Sequence, residues 1–169
     1  TLKSITLRLL IALAAYLGWD VQQMDVCNAF LNATLPDETP VYMHCVKGYE
    51  KPGFVIRLRK ALYGLKQSPR QWFLTLKACL GRCGLVQCPL DACLFYLQIR
   101  KTVQLLVGIH VDDLLIVGVT EHVQWLKSKL TEEYKMEDLG QPSRMLGMDV
   151  TFNPDGSIKL CQESYIKKV

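Results

Sequence analysis

LLVGIHVDDLLIVGV, Leu105 to Val119, holds twelve apolar or glycine residues out of fifteen, with His110, Asp112 and Asp113 together at its centre. An apolar run interrupted by charge at its midpoint predicts two buried strands joined by a turn, because a sheet covered on both faces loses its polar alternation. The run is too short, and too charged at its centre, for a membrane helix. Two adjacent ionised carboxylates at the tip of such a hairpin repel each other and resist desolvation, a cost that a divalent cation would offset. The alternative is a solvated hairpin turn, where aspartate is common.

At 169 residues and 50% apolar composition the chain can bury a real core as one domain. It begins at Thr1 rather than methionine and reads as an excerpt, truncated at both ends. A net charge of +4 is too weak to argue for a polyanion partner, but its distribution is uneven. Between Lys51 and Leu90 stand eight basic residues (Lys51, Arg57, Arg59, Lys60, Lys66, Arg70, Lys77 and Arg82) and no acid. A one-sign field of that size suits phosphate, against the alternative of a solvated helix face. Seven cysteines without a zinc-type C-x-x-C pair read as reduced core residues of an intracellular protein, and Cys79 with Cys83 makes a poor metal pair without histidines. Leu9 to Trp19 imitates a signal peptide, but an amphipathic helix running on into a strand explains it better.

In chain order, residues 3 to 17 predict a helix with Ile5, Leu9, Ala12, Leu13 and Tyr16 at helical spacing and Gly18 at its C-terminal cap. Val21 to Cys27 predicts a strand whose only charge, Asp25, lies near its end, either as a site or as a strand-end cap. A short helix or turn from Phe30 stops at Pro36, and strands follow at Val41 to Val46 and Phe54 to Leu58. KALYGLKQSP, residues 60 to 69, is a glycine-containing loop feeding a helix to about Arg82, with Trp72, Phe73, Leu76 and Leu80 as its apolar face. Cys93 to Ile99 and Thr102 to Ile109 form a hairpin across Arg100-Lys101, and Leu114 to Val119 adds a third antiparallel strand. Thr120 caps a helix reaching about Tyr134, with Val123, Leu126 and Leu130 inward and Lys127 outward. Arg144 to Phe152 is a strand, paired across Asn153-Pro154-Asp155-Gly156 with Ser157 to Cys161, and Ser164 opens a last helix. This order implies an α+β fold, an antiparallel sheet with helices packed on one face.

Asp25 and the Asp112-Asp113 pair each sit at the end or bend of an apolar strand of one sheet. Three clustered carboxylates can hold two divalent cations for phosphoryl transfer, and hard oxygen ligands suit magnesium.

Four stretches, MDVCNAFLN at 24–32, KALYGLKQSPRQWF at 60–73, IHVDDLLIVG at 109–118 and MLGMDV at 145–150, together resemble the reverse transcriptase of Ty1/copia-type LTR retrotransposons. The resemblance runs over essentially the whole chain. It implies a polymerase palm in which Asp25, Asp112 and Asp113 are catalytic. It assigns two Mg²⁺ or Mn²⁺ ions to Asp25, Val26, Asp112 and Asp113. Cys27, Asn28, Ala29, Phe30, Gly64 and Lys66 match nucleotide-binding positions, with Phe30 as the aromatic gate that crowds a ribose 2′-hydroxyl. Lys66, Gln67, Ser68, Pro69, Arg70 and His110 match positions facing the nucleic acid, and Met145, Leu146, Gly147 and Met148 match the primer-gripping hairpin. His110 departs from the family pattern, which usually has tyrosine or phenylalanine before V-D-D, and adds a titratable ring near the primer end.

The activity so implied is RNA-directed DNA polymerisation, adding deoxynucleotides to a primer 3′-hydroxyl on an RNA or DNA template. The expected setting is a retrotransposon polyprotein that also carries integrase and ribonuclease H, in cytoplasmic virus-like particles or the nucleus, without a membrane partner. The fingers segment that precedes this region in the family, and the thumb that follows, lie outside the sequence. An inactive relic or a domesticated nucleic-acid-binding module is the alternative of a different class, and a metal nuclease is a third that leaves YGLKQSP and Phe30 unexplained.

Overall fold

The computed structural model describes residues 1–168. In chain order the elements are α1 (Ser4–Leu17), β1 (Asp20–Val26), a 3-10 turn (Ala29–Asn32), β2 (Val41–Met43), β3 (Ile56–Leu58), α2 (Ser68–Arg82), β4 (Val86–Gln87), β5 (Leu94–Ile99), β6 (Thr102–His110), β7 (Asp113–Gly118), α3 (Thr120–Glu133), β8 (Met136–Gly140), β9 (Arg144–Met145), β10 (Met148–Phe152), β11 (Ile158–Cys161) and α4 (Glu163–Ile166). They form two compact units, residues 28–79 in one and the rest in the other. The fold is α+β.

In the larger unit six strands make one antiparallel sheet in the order β4-β5-β6-β7-β1-β8. The predicted hairpin β6–β7 lies near its middle, with β1 beside it. The turn between β5 and β6 is Arg100-Lys101, both at positive φ as a two-residue hairpin with the sheet's twist requires. Two strands of the sheet, β4 and β8, have too little apolar alternation to be read from sequence; β8, MEDLG, is mostly exposed.

The expected placement of helices on one face is corrected: they lie on both. Side chains of cross-strand partners share a face. Val21, Leu115 and Val117 share a cluster with Leu7, Leu10, Ile11 and Ala14 of α1 and with Met145, Met148 and Val150 of β9 and β10. Gln22, Met24, Leu114 and Ile116 point the other way, toward α3, whose Lys127 Nζ donates to Gln22 Oε1 at 3.1 Å and to Asp138 Oδ1 at 2.8 Å. The continuous apolar runs of β6 and β7 demand this arrangement, since both of their faces need cover. Lys127, expected to face outward, is instead buried beside Asp138. Val119 rather than Thr120 occupies the cap position of α3, with no side-chain cap.

α1 turns a different face inward from the one its spacing suggested. Leu7, Leu10, Ile11 and Ala14 are buried, while Ile5 and Tyr16 are 72% and 86% exposed. Arg144 to Phe152 is likewise two strands rather than one, because Leu146 and Gly147, both at positive φ, reverse the chain between β9 and β10. β10 then pairs with β11 across the Asn153–Gly156 turn as expected.

In the smaller unit β2 and β3 pair as a short ribbon and Thr34 bridges Lys60. α2 begins at Ser68, whose buried hydroxyl donates to the Leu62 carbonyl at 2.5 Å and so closes the preceding loop. Trp72, Leu76 and Leu80 are buried as predicted, joined by Cys79, while Phe73 of the expected apolar face is only half-buried. All seven cysteines are free thiols, and among the described residues no helix is long and apolar enough to cross a membrane.

Candidate active site

The larger unit brings Asp25 and Asp113 together. β1 and β7 pair so that Asp25 and Asp113 are direct cross-strand partners, and Asp112 occupies the adjoining turn. That turn is tied to β1, because the Val26 amide donates to the Asp112 carbonyl at 3.1 Å. Val111, the other turn residue, sits at φ 61°, a conformation costing a β-branched side chain on the order of 1–3 kcal/mol. The paired strands on either side hold it there. His110 pairs with Asp113 across the hairpin, and its buried Nδ1 has no hydrogen-bond partner.

On the far side of β1, Glu137 of β8 is the cross-strand partner of Asp25. Asp113, Asp25 and Glu137 therefore form a row of carboxylates across three neighbouring strands. Burial, then the charges of Asp112, Asp113 and Glu137, hold the Asp25 carboxyl above the usual carboxylate range. Gln23, buried two residues before Asp25, donates from Nε2 to Asp113 Oδ1 at 2.9 Å. Sequence reading missed both Gln23 and Glu137. Gln23 was within reach of it, since period-two alternation puts residue 23 on the face of residue 25. Glu137 was not, because β8 carries no strand signal of its own.

The donors are hard oxygens of one charge, the kind of set that could hold magnesium or manganese. Among the described residues no group of three or more His, Cys, Asp or Glu side chains is already gathered around one point as a finished metal site. Backbone register sets Asp25 opposite Asp113 on one side and Glu137 on the other.

The other predicted residues fall as follows. Cys27 closes β1 with its amide on the Lys135 carbonyl at 2.9 Å. Met145 and Met148 are buried in the core cluster, and Leu146 and Gly147 form the hairpin turn between them. In the smaller unit Asn28 lies at φ 53° ahead of the 3-10 turn that carries buried Ala29 and Phe30. The Phe30 ring, 6% exposed, packs on Tyr63 with centroids 4.4 Å apart. Gly64 has φ 91° in the exposed crest of the loop, and Lys66, Pro69 and Arg70 are exposed while Gln67 is half-buried and Ser68 fully buried. All eight basic residues between Lys51 and Leu90 are exposed.

Comparison with known proteins bears on the same residues. The profile of the family described as reverse transcriptase (RNA-dependent DNA polymerase) matches residues 2–169. The chain is 34% identical over 172 residues to the retrovirus-related Pol polyprotein from transposon TNT 1-94 of Nicotiana tabacum, covering 99% of the chain and 13% of that protein. It is 36% identical to the retrovirus-related Pol polyprotein from transposon RE1 of Arabidopsis thaliana, covering 98% of the chain and 11% of the relative. It is 26% identical to the Transposon Ty1-BL Gag-Pol polyprotein of Saccharomyces cerevisiae, covering 91% of the chain and 9% of the relative. The chain thus spans a small part of the relatives it matches. With the family profile covering nearly every residue and plant Pol polyproteins above 30% identity, the chain belongs to the reverse transcriptase family of Ty1/copia-type retrotransposons.

Proposed function

We propose that the chain is the palm of an RNA-directed DNA polymerase that adds deoxynucleotides to a primer 3′-hydroxyl on an RNA or DNA template. The observation carrying this reading is the register that opposes Asp25 to Asp113 with Asp112 in the adjoining turn, in a chain of the reverse transcriptase family. Asp25, Asp112 and Asp113, with the backbone of Val26, would hold two magnesium or manganese ions. When bound, such ions neutralise charge on the attacking and leaving oxygens of an in-line displacement.

The chain's own groups do the rest by positioning. The β6–β7 turn fixes the aspartate pair through its tie to Val26. Cys27 to Phe30 would pass along the incoming nucleotide, with Phe30 excluding the ribose 2′-hydroxyl. The Gly64 loop offers backbone amides, and Lys66 an ammonium, to phosphate. Gln67, Pro69 and Arg70 would track the nucleic acid, while Ser68 is buried and its hydroxyl closes the loop on the Leu62 carbonyl. His110, whose Nδ1 is buried, would meet a primer only through the rest of its half-buried ring. At the β9–β10 hairpin the primer contact would fall to the Leu146-Gly147 turn, since Met145 and Met148 are buried. Integrase and ribonuclease H elsewhere in a parent polyprotein, and a cytoplasmic particle or the nucleus as the setting, complete the proposal.

Primer extension on an RNA template with Mg²⁺ or Mn²⁺, using the chain and a version extended at both ends, tests it. Extension by the wild type, lost in Asp112→Asn with the melting temperature kept, is expected. Hybrid binding without extension by either version would support the binding-module alternative, and strand cleavage in its place the nuclease.

A further inference from the structure

Gln23 is a buried amide, 8% exposed, among apolar side chains on its face of the sheet. Along that face its neighbours are Val21 and Asp25 on its own strand and Leu115, Val117 and Asp113 on β7, and of these only the two carboxylates can accept from an amide. Its Nε2 reaches diagonally across the β1–β7 ladder to Asp113 Oδ1, 2.9 Å away. A buried amide bonded to a carboxylate costs far less than one left unpaired, so both groups are held in one arrangement. The bond restricts Asp113 at one oxygen, leaves Oδ2 for another partner, and sets a neutral donor beside two like charges without adding charge of its own. Asp25, the direct partner of Asp113, has Glu137 on its other side, so Gln23, one same-face position back along β1, is a neutral donor beside an anionic row.

We infer that Gln23 is a positioning residue, acting through Asp113 to hold that carboxylate in the orientation in which it accepts a divalent cation. The inference rests on the metal-dependent polymerase reading and adds to it a residue outside the aspartate triad. Outer hydrogen-bond partners of ligating groups commonly carry about 10–100-fold of metal affinity.

The test is Mn²⁺ binding to the full 169-residue chain, followed by electron paramagnetic resonance of the free ion. The variants are Gln23→Met, Gln23→Leu, Asp112→Asn, Asp113→Asn and the double Gln23→Met/Asp113→Asn. Methionine and leucine keep apolar bulk and remove the donor. Both should weaken Mn²⁺ binding by about 10-fold or more with melting temperatures near wild type, and Gln23→Met should weaken it no further in the Asp113→Asn background. In primer extension by the version extended at both ends, kcat should fall while the nucleotide KM holds. Wild-type affinity in both Gln23 variants, an equal loss in the Asp113→Asn background, or a loss of binding that tracks loss of folded protein would overturn the positioning role and leave the metal reading standing. Mn²⁺ binding indifferent to both Asp112→Asn and Asp113→Asn would overturn the metal reading and the inference together.

Discussion

Asp25 shows what aligning carboxylates costs a single residue. With its folded pKa above the unfolded value, it contributes stability that is fully present below about pH 4 and lost as pH rises through the folded value. Asp25→Asn should therefore raise the melting temperature of the metal-free protein at pH 7, and the gain should vanish toward pH 3. A melting temperature at pH 7 equal to or below wild type would contradict the repulsion. Phe30 poses a separate question, because it is both buried and ring-packed on Tyr63. If it serves as the sugar gate, Phe30→Val in an active, extended version should raise ribonucleotide use relative to deoxynucleotide by at least about tenfold, or roughly 1.4 kcal/mol. A purely structural Phe30 would instead cost about 3–5 kcal/mol of stability and lower both incorporations together.

At the scale of elements, the central ladder is closed where two strands approach most tightly. A Cβ on Gly118 of β7 would stand 2.5 Å from the Gln104 carbonyl oxygen and 2.9 Å from Leu105 Cα, both backbone atoms of β6. On Gly108 it would meet the Cδ2 of Leu2 at 2.7 Å, the end of a side chain that can move. Gly118→Ala should thus cost about 3 kcal/mol and Gly108→Ala about 1 kcal/mol, read from urea unfolding midpoints. Equal costs would show that the ladder yields as easily as a leucine. α1 teaches a related lesson. Its sequence, SITLRLLIALAAYL, is apolar on nearly every side, so spacing cannot choose which face turns inward, and packing against Val21, Leu115 and Val117 chose Leu7, Leu10, Ile11 and Ala14. The aspartate hairpin behaves oppositely: its two apolar arms and charged centre leave one place for the turn, and β6 and β7 meet there.

Over the whole molecule, charge segregates along the chain rather than in its total. Eight exposed cations without an acid lie between Lys51 and Leu90. If they meet a primer–template duplex, affinity should fall steeply with salt, and removing charge at Lys66 and Arg70 together should lower the logarithmic slope by about 2. An unchanged slope, measured by fluorescence anisotropy from low to moderate salt, would return those residues to a solvated surface.

Sequence alone determined the α+β class, the central hairpin, the Arg100-Lys101 and Asn153–Gly156 turns and the ordered motifs that mark the family. Each is written in contiguous residues through alternation, turn chemistry and local charge. It also pointed to Asp25, Asp112 and Asp113, because an acid at the end of an apolar strand conflicts with its surroundings. Tertiary structure decided what depends on residues far apart in the chain. It set the strand order and the register opposing Asp25 to Asp113 and Glu137, and it put helices on both faces of the sheet. It also buried Lys127 beside Asp138 and bonded Gln23 to Asp113. The physical reason is that a strand such as MEDLG has no apolar pattern of its own: it becomes a strand because β1 offers an open edge of amides and carbonyls, and only that pairing brings Glu137 to Asp25.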